Sequence, residues 1–467
     1  MFSASLIAAA LIVGSAAQAT QIGSIIASIP AGNGFTSLDI CTRTNVSGDA
    51  FKHVRDDYTA PMVQPLPMVW FIVNKPGTNV TTSAAGLLYP RIGAYRKGMG
   101  CTVIRNAAAE RALRAQPFAP IATKAASTAP WPAGEGSAEV SLLTSDQQAT
   151  LTRHADALFK ETETNTAKRT NSYALLVAKN GHLVFERYAS NYNREQRQIG
   201  WSMTKSLTAI VAGLMEKDGQ ISADAPVGLK SWSGTAKAAI TWRQLLNMAS
   251  GLQWDESGAT SPNDVYEMLF NNEDDAAYAA NKPQAYAPGS HYTYNTGAQT
   301  IAMAAMKEKL GGTHQAIYNY YQTKLFAPLG IRNGIVEPDY AGTPIGGARG
   351  VLRPVDWLRL GQLLVNEGAW NGQQMLSRNW VNFMMTPSPA NPAYAGSIWT
   401  KSWSDLPDSL RARLPDDTVF FAGLQGQFVV MIPSHQLLLA RMGVTFDPAK
   451  TNQDVFSTVA DLVEQGL

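Results

Sequence analysis

The pattern of apolar and polar positions divides the second two thirds of the chain into strands, a long helical stretch and strands again. Residues 173–178 and 183–188 are short apolar runs around Asn180-Gly181, a pair that favours the tight turn of a β-hairpin. Apolar residues at helical spacing predict a helix over 141–163 and a mostly helical stretch over 202–380. Strands are expected again within 419–432 and 437–443, followed by a last helix over 452–465.

This order of elements predicts an α/β fold of the α+β type. An antiparallel sheet, built from the strands before and after the helical stretch, would be flanked by helices, and the stretch itself would form a large helical subdomain. Strand-like residues 68–73 indicate a small additional N-terminal module. Residues 116–137 are rich in Pro, Ala and Gly, the composition of a linker or an extended crossing segment. We therefore divide the chain into a leader (1–19), an N-terminal module with its linker (20–137) and a main domain (138–467).

The leader has the character of a signal peptide. Residues 1–19 are apolar and small and end in Ala17-Gln18-Ala19, a small-x-small pattern typical of signal-peptidase cleavage. No Lys or Arg precedes Arg43, so the usual basic start is missing, and a buried helix is the competing interpretation. No later stretch is apolar over the roughly 18–20 residues that a membrane span needs. We expect a periplasmic or secreted protein without a membrane span.

Composition and cysteine usage narrow the function classes further. The 467 residues are 45% hydrophobic and 16% charged, with a formal net charge of +2, so no basic surface predicts nucleic acid as a partner. Cys41 and Cys101 are the two cysteines, which in an exported protein predicts one disulfide closing a loop of about 60 residues, worth about 4 kcal/mol. Two buried free thiols are the alternative. The sequence does not indicate an oligomeric state.

Ser202-Met203-Thr204-Lys205 begins the helical stretch and is the candidate catalytic motif. The spacing puts Ser202 and Lys205 one helical turn apart on the same side. A serine is a weak nucleophile unless a base takes its proton, and a lysine can act as that base when burial keeps it often neutral. Ser202 is therefore the candidate nucleophile and Lys205 the candidate base.

Two further motifs follow in an order that resembles a known superfamily. Residues 288–297 read PGSHYTYNTG, and residues 421–427 read FAGLQGQ before an apolar run. Together with GWSMTKS at 200–206 and LLNMASGL at 245–252, they resemble the serine β-lactamase and penicillin-binding-protein superfamily over residues 171–443. Within it, the chain is similar to class C-like esterases and 6-aminohexanoate-oligomer hydrolases. The resemblance implies the fold expected above and an acyl-enzyme mechanism.

The resemblance assigns roles to the residues of the second and third motifs. Tyr294, six residues after Pro288, would relay the proton, and Tyr292 is the alternative. The third position of the tyrosine motif is Thr296 instead of Asn or Ser, which leaves one donor for a substrate amide or for the lysine. In the third motif, Leu424 stands where β-lactamases carry a carboxylate-binding lysine. Gly426 would let the substrate approach the strand, and the backbone N–H of Gln427, with that of Ser202, would form the oxyanion hole.

Other chemistries have little support in the sequence. The six histidines show no metal-ligand spacing, and neither a G-x-S-x-G elbow nor a phosphate-binding loop is present. We therefore expect an exported serine hydrolase without a metal or cofactor, acting on esters or small linear amides. A β-lactamase or D-amino peptidase is the alternative within the same chemistry. A non-catalytic binding or scaffold protein with the same fold is the alternative from another class.

Overall fold

The computed structural model describes residues 16–62, 70–75, 77–84, 86, 88–123, 125–165, 168–257 and 263–467. Residues 1–15 of the expected signal peptide and residues 68–69 of the expected first strand lie outside these ranges. Within them, none of the helices is long and apolar enough to cross a membrane.

The N-terminal module consists of a long helix packed on a four-stranded antiparallel sheet. The helix is Ala16–Cys41, and the strands, in spatial as well as chain order, are Trp70–Lys75, Asn79–Ala84, Leu88–Arg96 and Gly100–Ile104. Gly93 allows the helix to lie close to the sheet, because a Cβ there would fall 2.2 Å from Ser37 O. A short helix, Ala107–Ala115, follows the sheet, and Asn106 caps it by accepting from Ala109 N.

The expected disulfide is confirmed. Cys41, the last residue of the long helix, is bonded to Cys101 in the fourth strand, with 6.1 Å between their Cα atoms. The bond therefore ties the helix directly to the sheet.

Removing this disulfide should destabilise the protein without changing its chemistry. Replacing both Cys41 and Cys101 with serine is expected to lower the free energy of unfolding by about 2–4 kcal/mol, because a loop of 60 residues gains freedom in the unfolded chain. Denaturant unfolding of wild type and double variant measures this difference. Mass spectrometry without reductant should find one disulfide-linked peptide in the wild type, whereas complete alkylation of both thiols would contradict the pairing.

The main sheet has six antiparallel strands, and the last strand of the main domain lies beside the first one. In order across the sheet they are Trp399–Thr400, Val419–Gly423, Gln427–Ile432, Leu437–Gly443, Ser172–Lys179 and His182–Tyr188. The expected hairpin is confirmed, since Asn180 and Gly181 take φ values of +51° and +78°, as a type I′ turn requires. A small second sheet comprises Gln198–Ile199, Gly350–Leu352 and Ile335–Val336.

Helices cover both faces of the main sheet. Ser145–Phe159 and Pro448–Glu464 pack on one face, and Pro354–Val365 and Met203–Lys217 lie on the other. The last helix begins four residues earlier than expected, because Asp447 caps it by accepting from Lys450 N and Pro448 suits its first turn. The helical subdomain contains Trp242–Leu246, Asp264–Asn271, Asp275–Ala280, Thr296–Lys309, His314–Tyr321 and Arg378–Met385.

The Pro/Ala-rich segment 116–137 lies along the main domain as an extended crossing segment. Trp131 is buried, and Glu135 is 2.8 Å from the guanidinium of Arg353. The module also contacts the main domain through a buried group of polar side chains. Thr42 donates to Glu337, which forms an ion pair with Arg349 that is 0% exposed on both sides. The N-terminal module and the main domain are therefore packed against each other.

Candidate active site

Ser202 lies at the start of a buried helix, directly after a sharp turn. Ser202 directly precedes the helix Met203–Lys217, and the residue before it, Trp201, has a φ of +47°. Gly200 permits this turn, because a Cβ at that position would fall 2.1 Å from the ring of Trp357. Lys205 follows one turn later with only 1% of its surface exposed, so the expected pairing of serine and lysine is present.

The amine of Lys205 has three hydrogen-bond partners. Its Nζ lies 2.9 Å from Ser202 Oγ, 2.8 Å from Thr296 Oγ1 and 2.8 Å from the carbonyl oxygen of Gly347. A glycine at 347 is required here, because a Cβ would fall 2.2 Å from Thr296 O. Three partners at these distances hold the amine in one position beside the serine.

Glu256 sets the direction of the hydrogen bonds in this network. Its Oε1 is 2.6 Å from Thr296 Oγ1, and its Oε2 accepts from the backbone N of Thr296 at 2.7 Å. A carboxylate only accepts, so the Thr296 hydroxyl donates to Glu256 and accepts from Lys205. The Gly347 carbonyl also only accepts. A neutral Lys205 therefore uses both N–H bonds on these two oxygens and presents its lone pair to the hydroxyl of Ser202.

Burial favours this neutral form of Lys205. Desolvation lowers the pKa of its ammonium to about 8, and the negative charge of Glu256 opposes part of that effect. At neutral pH, an amine with a pKa near 8 is neutral in a much larger fraction of molecules than the amine of an exposed lysine, whose pKa is higher. Lys205 thus has both the position and the protonation that a general base needs.

Tyr294 completes the group around the serine. Its ring centroid lies 4.8 Å from Lys205 Nζ, and its side chain lines the same cleft as Ser202. Burial and the charge of Glu256 raise the pKa of Tyr294 well above its ordinary value, so the phenol stays protonated. Tyr294 therefore suits the role of proton donor and relay, and the role of base remains with Lys205.

Replacing Tyr294 with phenylalanine should slow the chemical step. The variant keeps the ring but loses the proton path, so kcat should fall by about a hundredfold or more while KM changes little. Tyr292→Phe is a matched control, because the Tyr292 hydroxyl has no hydrogen-bond partner among the residues that the structure describes, and its side chain does not line the cleft around Ser202. Steady-state kinetics on one ester compares the two variants. A larger loss in the Tyr292 variant would contradict the assignment.

Ser202 lines a cleft of about 620 Å³ whose walls contain many aromatic side chains. Among the described residues that line it, none is lysine or arginine, and the acidic ones are Glu256 and Asp405. The aromatic rings include those of Trp201, Tyr266, Tyr294, Trp399 and Trp403.

The sequence profile of the beta-lactamase family matches residues 155–464, well over half of the chain and all of the residues just described around Lys205. The chain belongs to the beta-lactamase family. No curated protein sequence matches it. The resemblance drawn from the three motifs is therefore confirmed at the level of the family.

Several solved structures have the same fold as this beta-lactamase family chain. One is a putative 6-aminohexanoate-dimer hydrolase from Bacillus anthracis (18% identity, 63% of this chain and 78% of that one, TM-score 0.53). Another is a putative beta-lactamase from Bacteroides dorei DSM 17855 (18% identity, 69% and 99%, TM-score 0.53). A third is EstCE1, described as a hydrolase with promiscuous acyltransferase activity (15% identity, 68% and 100%, TM-score 0.54). At these identities the similarity shows the fold, and the expected fold class is confirmed.

The residues expected to form the third motif, 424–427, lie in the turn between two strands of the main sheet and at the start of the second strand. Gly423 ends the strand Val419–Gly423 and lies against the turn before the serine, since a Cβ on it would fall 2.1 Å from Gly200 O. Gln427 begins the next strand, opposite Gly423, and does not line the cleft. Its side-chain amide is bonded to the backbone of Gly443. The side chain of Gln427 therefore supports the sheet, and the backbone of Gly423 lies against the turn that precedes Ser202.

Gly426 and Thr296 both line the cleft. Gly426 has a φ of +79°, and a Cβ there would fall 2.6 Å from a guanidinium nitrogen of Arg441, so its missing side chain makes room for that arginine. The hydroxyl of Thr296 is engaged by Lys205 and Glu256 and has no proton left to donate to a substrate amide. Of the two partners expected for Thr296, the lysine is therefore the one present, whereas the substrate-binding role of Gly426 stays a prediction.

Glu256 and Gly347 are site residues that the sequence interpretation missed. Glu256 lies four residues after the LLNMASGL segment, and Gly347 belongs to the Gly346-Gly347 pair. The glycine pair was the available signal, because adjacent glycines mark a close approach of backbones. A lone glutamate in a polar loop carries no such signal.

Proposed function

We propose that this protein is a serine hydrolase that cleaves neutral esters or small linear amides through an acyl-enzyme on Ser202. The observation that carries the proposal is the arrangement at Lys205, whose lone pair faces the serine hydroxyl while its two N–H bonds are held by Gly347 O and Thr296 Oγ1. This arrangement activates a serine without a histidine.

The proposed reaction has two halves that use the same groups. Ser202 Oγ attacks the carbonyl carbon as its proton passes to Lys205 Nζ, which gives a tetrahedral intermediate. The protonated lysine returns a proton through the Tyr294 hydroxyl to the leaving alcohol or amine, and the bond to the leaving group breaks. Water then attacks the acyl carbon as its proton passes to Lys205. The bond to Ser202 Oγ breaks as Lys205 returns that proton to the serine oxygen, and the acid is released.

The negative oxygen of the intermediate needs two hydrogen-bond donors. The backbone N–H of Ser202 at the helix start is one of them, and it also profits from the positive end of the helix dipole. For the second donor we propose the backbone at Gly423–Leu424. The contact between Gly423 and the carbonyl of Gly200 supports this choice, because it brings that strand end beside the nucleophile.

The charge of the cleft supports neutral substrates. A substrate carboxylate would find no lysine or arginine among the described lining residues. Arg349 is buried in its ion pair with Glu337. Arg441 is buried as well, and its guanidinium donates to the backbone oxygens of Gly426 and Thr170. Neither arginine can replace the lysine that β-lactam-recognising relatives carry.

A direct comparison of two substrates tests the proposed preference for neutral substrates. The value of kcat/KM for p-nitrophenyl butyrate should exceed that for a chromogenic cephalosporin by roughly a hundredfold or more, because an unpaired carboxylate in a partly dry cleft costs a few kcal/mol. A cephalosporin value equal to the ester value would contradict the neutral-substrate proposal. The 6-aminohexanoate dimer, included in the same assay, tests whether a linear amide is cleaved.

A variant that places a positive charge at the cleft tests whether the missing lysine explains this preference. Leu424 is 47% exposed at the edge of the cleft, so Leu424→Lys should place an ammonium there and raise kcat/KM for the cephalosporin several-fold relative to the ester. Leu142 is a similarly exposed leucine outside the cleft, and Leu142→Lys should leave the ratio unchanged.

We also propose that the protein is exported to the periplasm or secreted. The Cys41–Cys101 disulfide supports this proposal, since such bonds persist mainly in oxidising compartments. Fractionation of cells that produce the chain from its own start, followed by mass determination of the N-terminus, tests both the compartment and cleavage after Ala19.

A further inference from the structure

One wall of the cleft comes from outside the part of the chain that matches the family. Phe35 belongs to the N-terminal helix Ala16–Cys41, whereas the family match begins at residue 155. Its side chain is 4% exposed and lines the cleft together with Met62, another residue of the N-terminal module. The module therefore contributes directly to the space that surrounds Ser202.

The ring of Phe35 packs between two aromatic residues of the main domain. It stacks on Trp201, the residue before the nucleophile, with 6.2 Å between ring centroids and 10° between planes. It meets Phe270 edge-on at 5.5 Å, and Tyr266 lies 6.1 Å beyond Phe270. All four rings line the cleft, and we call them the module-side wall.

Close contacts hold Phe35 in this position. Gly34, beside it, lies so close to the helix Asp264–Asn271 that a Cβ would fall 2.6 Å from Phe270 O. Further along, the buried Arg43 donates to Asp39 at 2.9 Å and to Gln425 Oε1 at 2.8 Å, and Trp201 Nε1 donates to the same oxygen at 3.2 Å. Gln425 belongs to the loop that follows Gly423. The module is thus attached on both sides of the cleft.

We propose that the N-terminal module determines substrate size, with Phe35 limiting the apolar group that binds on its side of Ser202. This inference rests on the proposed hydrolase function. A wall of four packed rings without a charged side chain suits a flat aromatic or short apolar group, which stacks on the rings and leaves water. A longer chain meets the ring of Phe35, which Trp201 and Phe270 prevent from turning aside.

Shortening the side chain at position 35 tests the proposal. Phe35→Ala should raise the ratio of kcat/KM for a long substrate to that for a short one by about tenfold or more, since each methylene accommodated in an apolar pocket changes the rate by a factor of that order. Two series show which side of the scissile bond is affected. One varies the acyl chain of p-nitrophenyl esters from acetate to dodecanoate, and the other varies the alcohol of butyrate esters.

Two further variants distinguish a steric limit set by the Phe35 ring from a general disturbance of the structure. Phe35→Leu disturbs packing less and should shift the same series in the same direction by a smaller factor. Phe118→Ala removes a half-buried ring of the N-terminal region that packs on Tyr318, away from the cleft, and should leave both ratios within about twofold of wild type. Titration with a fluorophosphonate counts active sites, so every rate refers to folded enzyme.

The outcomes distinguish this inference from the function on which it rests. A shift in either series for both Phe35 variants, without one in the Phe118 variant, supports the inference. Ester hydrolysis at Ser202 with both profiles unchanged in the Phe35 variants overturns it and leaves the hydrolase standing. A wild-type protein that neither hydrolyses the esters nor is labelled at Ser202 overturns both.

Discussion

Ser202→Ala should abolish labelling by a fluorophosphonate probe and lower kcat by at least roughly a thousandfold. The variant removes the only atom that forms the acyl bond and leaves Lys205 without a hydroxyl from which to take a proton. Mass spectrometry of the labelled wild type should find the modification on the peptide that contains Ser202. In the variant, the mass of the protein should stay unchanged after incubation with the probe.

Ser206 provides the matched control for this experiment. It lies one turn further along the same helix, is also buried, and donates its hydroxyl to Ser397 O at 2.6 Å. Ser206→Ala should therefore lose a structural hydrogen bond and keep both labelling and turnover. Labelling that persists in the Ser202 variant, or disappears in the Ser206 variant, would place the nucleophile elsewhere.

Lys205→Arg is expected to be nearly as damaging as the loss of the serine. A guanidinium stays charged at every working pH and cannot take the serine proton, so kcat/KM should fall by at least about a thousandfold. Lys205 is buried among three oxygens, so the larger side chain of arginine could also disturb the packing. Lys205→Met is therefore a second variant, which removes the base with little change in volume. Circular dichroism should show that both variants are folded. Substantial turnover in either of them would mean that another group is the base.

The pH profile of the wild type should report the same lysine. Lys205 acts as base only when neutral, and its pKa lies near 8, so kcat/KM should rise about tenfold per pH unit below that value and level off above it. Glu256→Gln removes a negative charge that raises the pKa of Lys205, so the rising part should move to lower pH. A rising part that stays in place would mean that Glu256 has only a structural role.

The value that kcat/KM reaches on the high-pH plateau should also be lower in the Glu256→Gln variant than in the wild type. The backbone N–H of Thr296 and the indole N–H of Trp254 both donate to Glu256 Oε2, so the oxygen of a glutamine would face them. Its NH₂ group would then donate to the Thr296 hydroxyl, which could no longer point its own proton away from Lys205. The proton of Thr296 would compete with Ser202 for the amine lone pair.

Local patterns in the sequence determined most of the fold. The Asn180-Gly181 pair specified its hairpin because both residues accept positive φ at low cost, and this signal needs no distant partner. The strands before and after the helical stretch were recognisable from their apolar runs. Helix ends were less accurate, because they depend on a single capping side chain, such as that of Asp447.

The sequence by itself also predicted the pairing of the candidate nucleophile with its candidate base, because Ser202 and Lys205 share one turn of one helix and their relative position follows from helix geometry. Tertiary structure alone decided which groups surround them. Thr296 and Gly347 are hydrogen-bonded to Lys205, and Glu256 is hydrogen-bonded to Thr296, each from a different segment of the chain. Phe35 reaches the cleft from a module that the family match does not include. Such contacts depend on how separate elements pack, and no local pattern encodes that packing, which is why the substrate-facing half of the site could not be read from motifs.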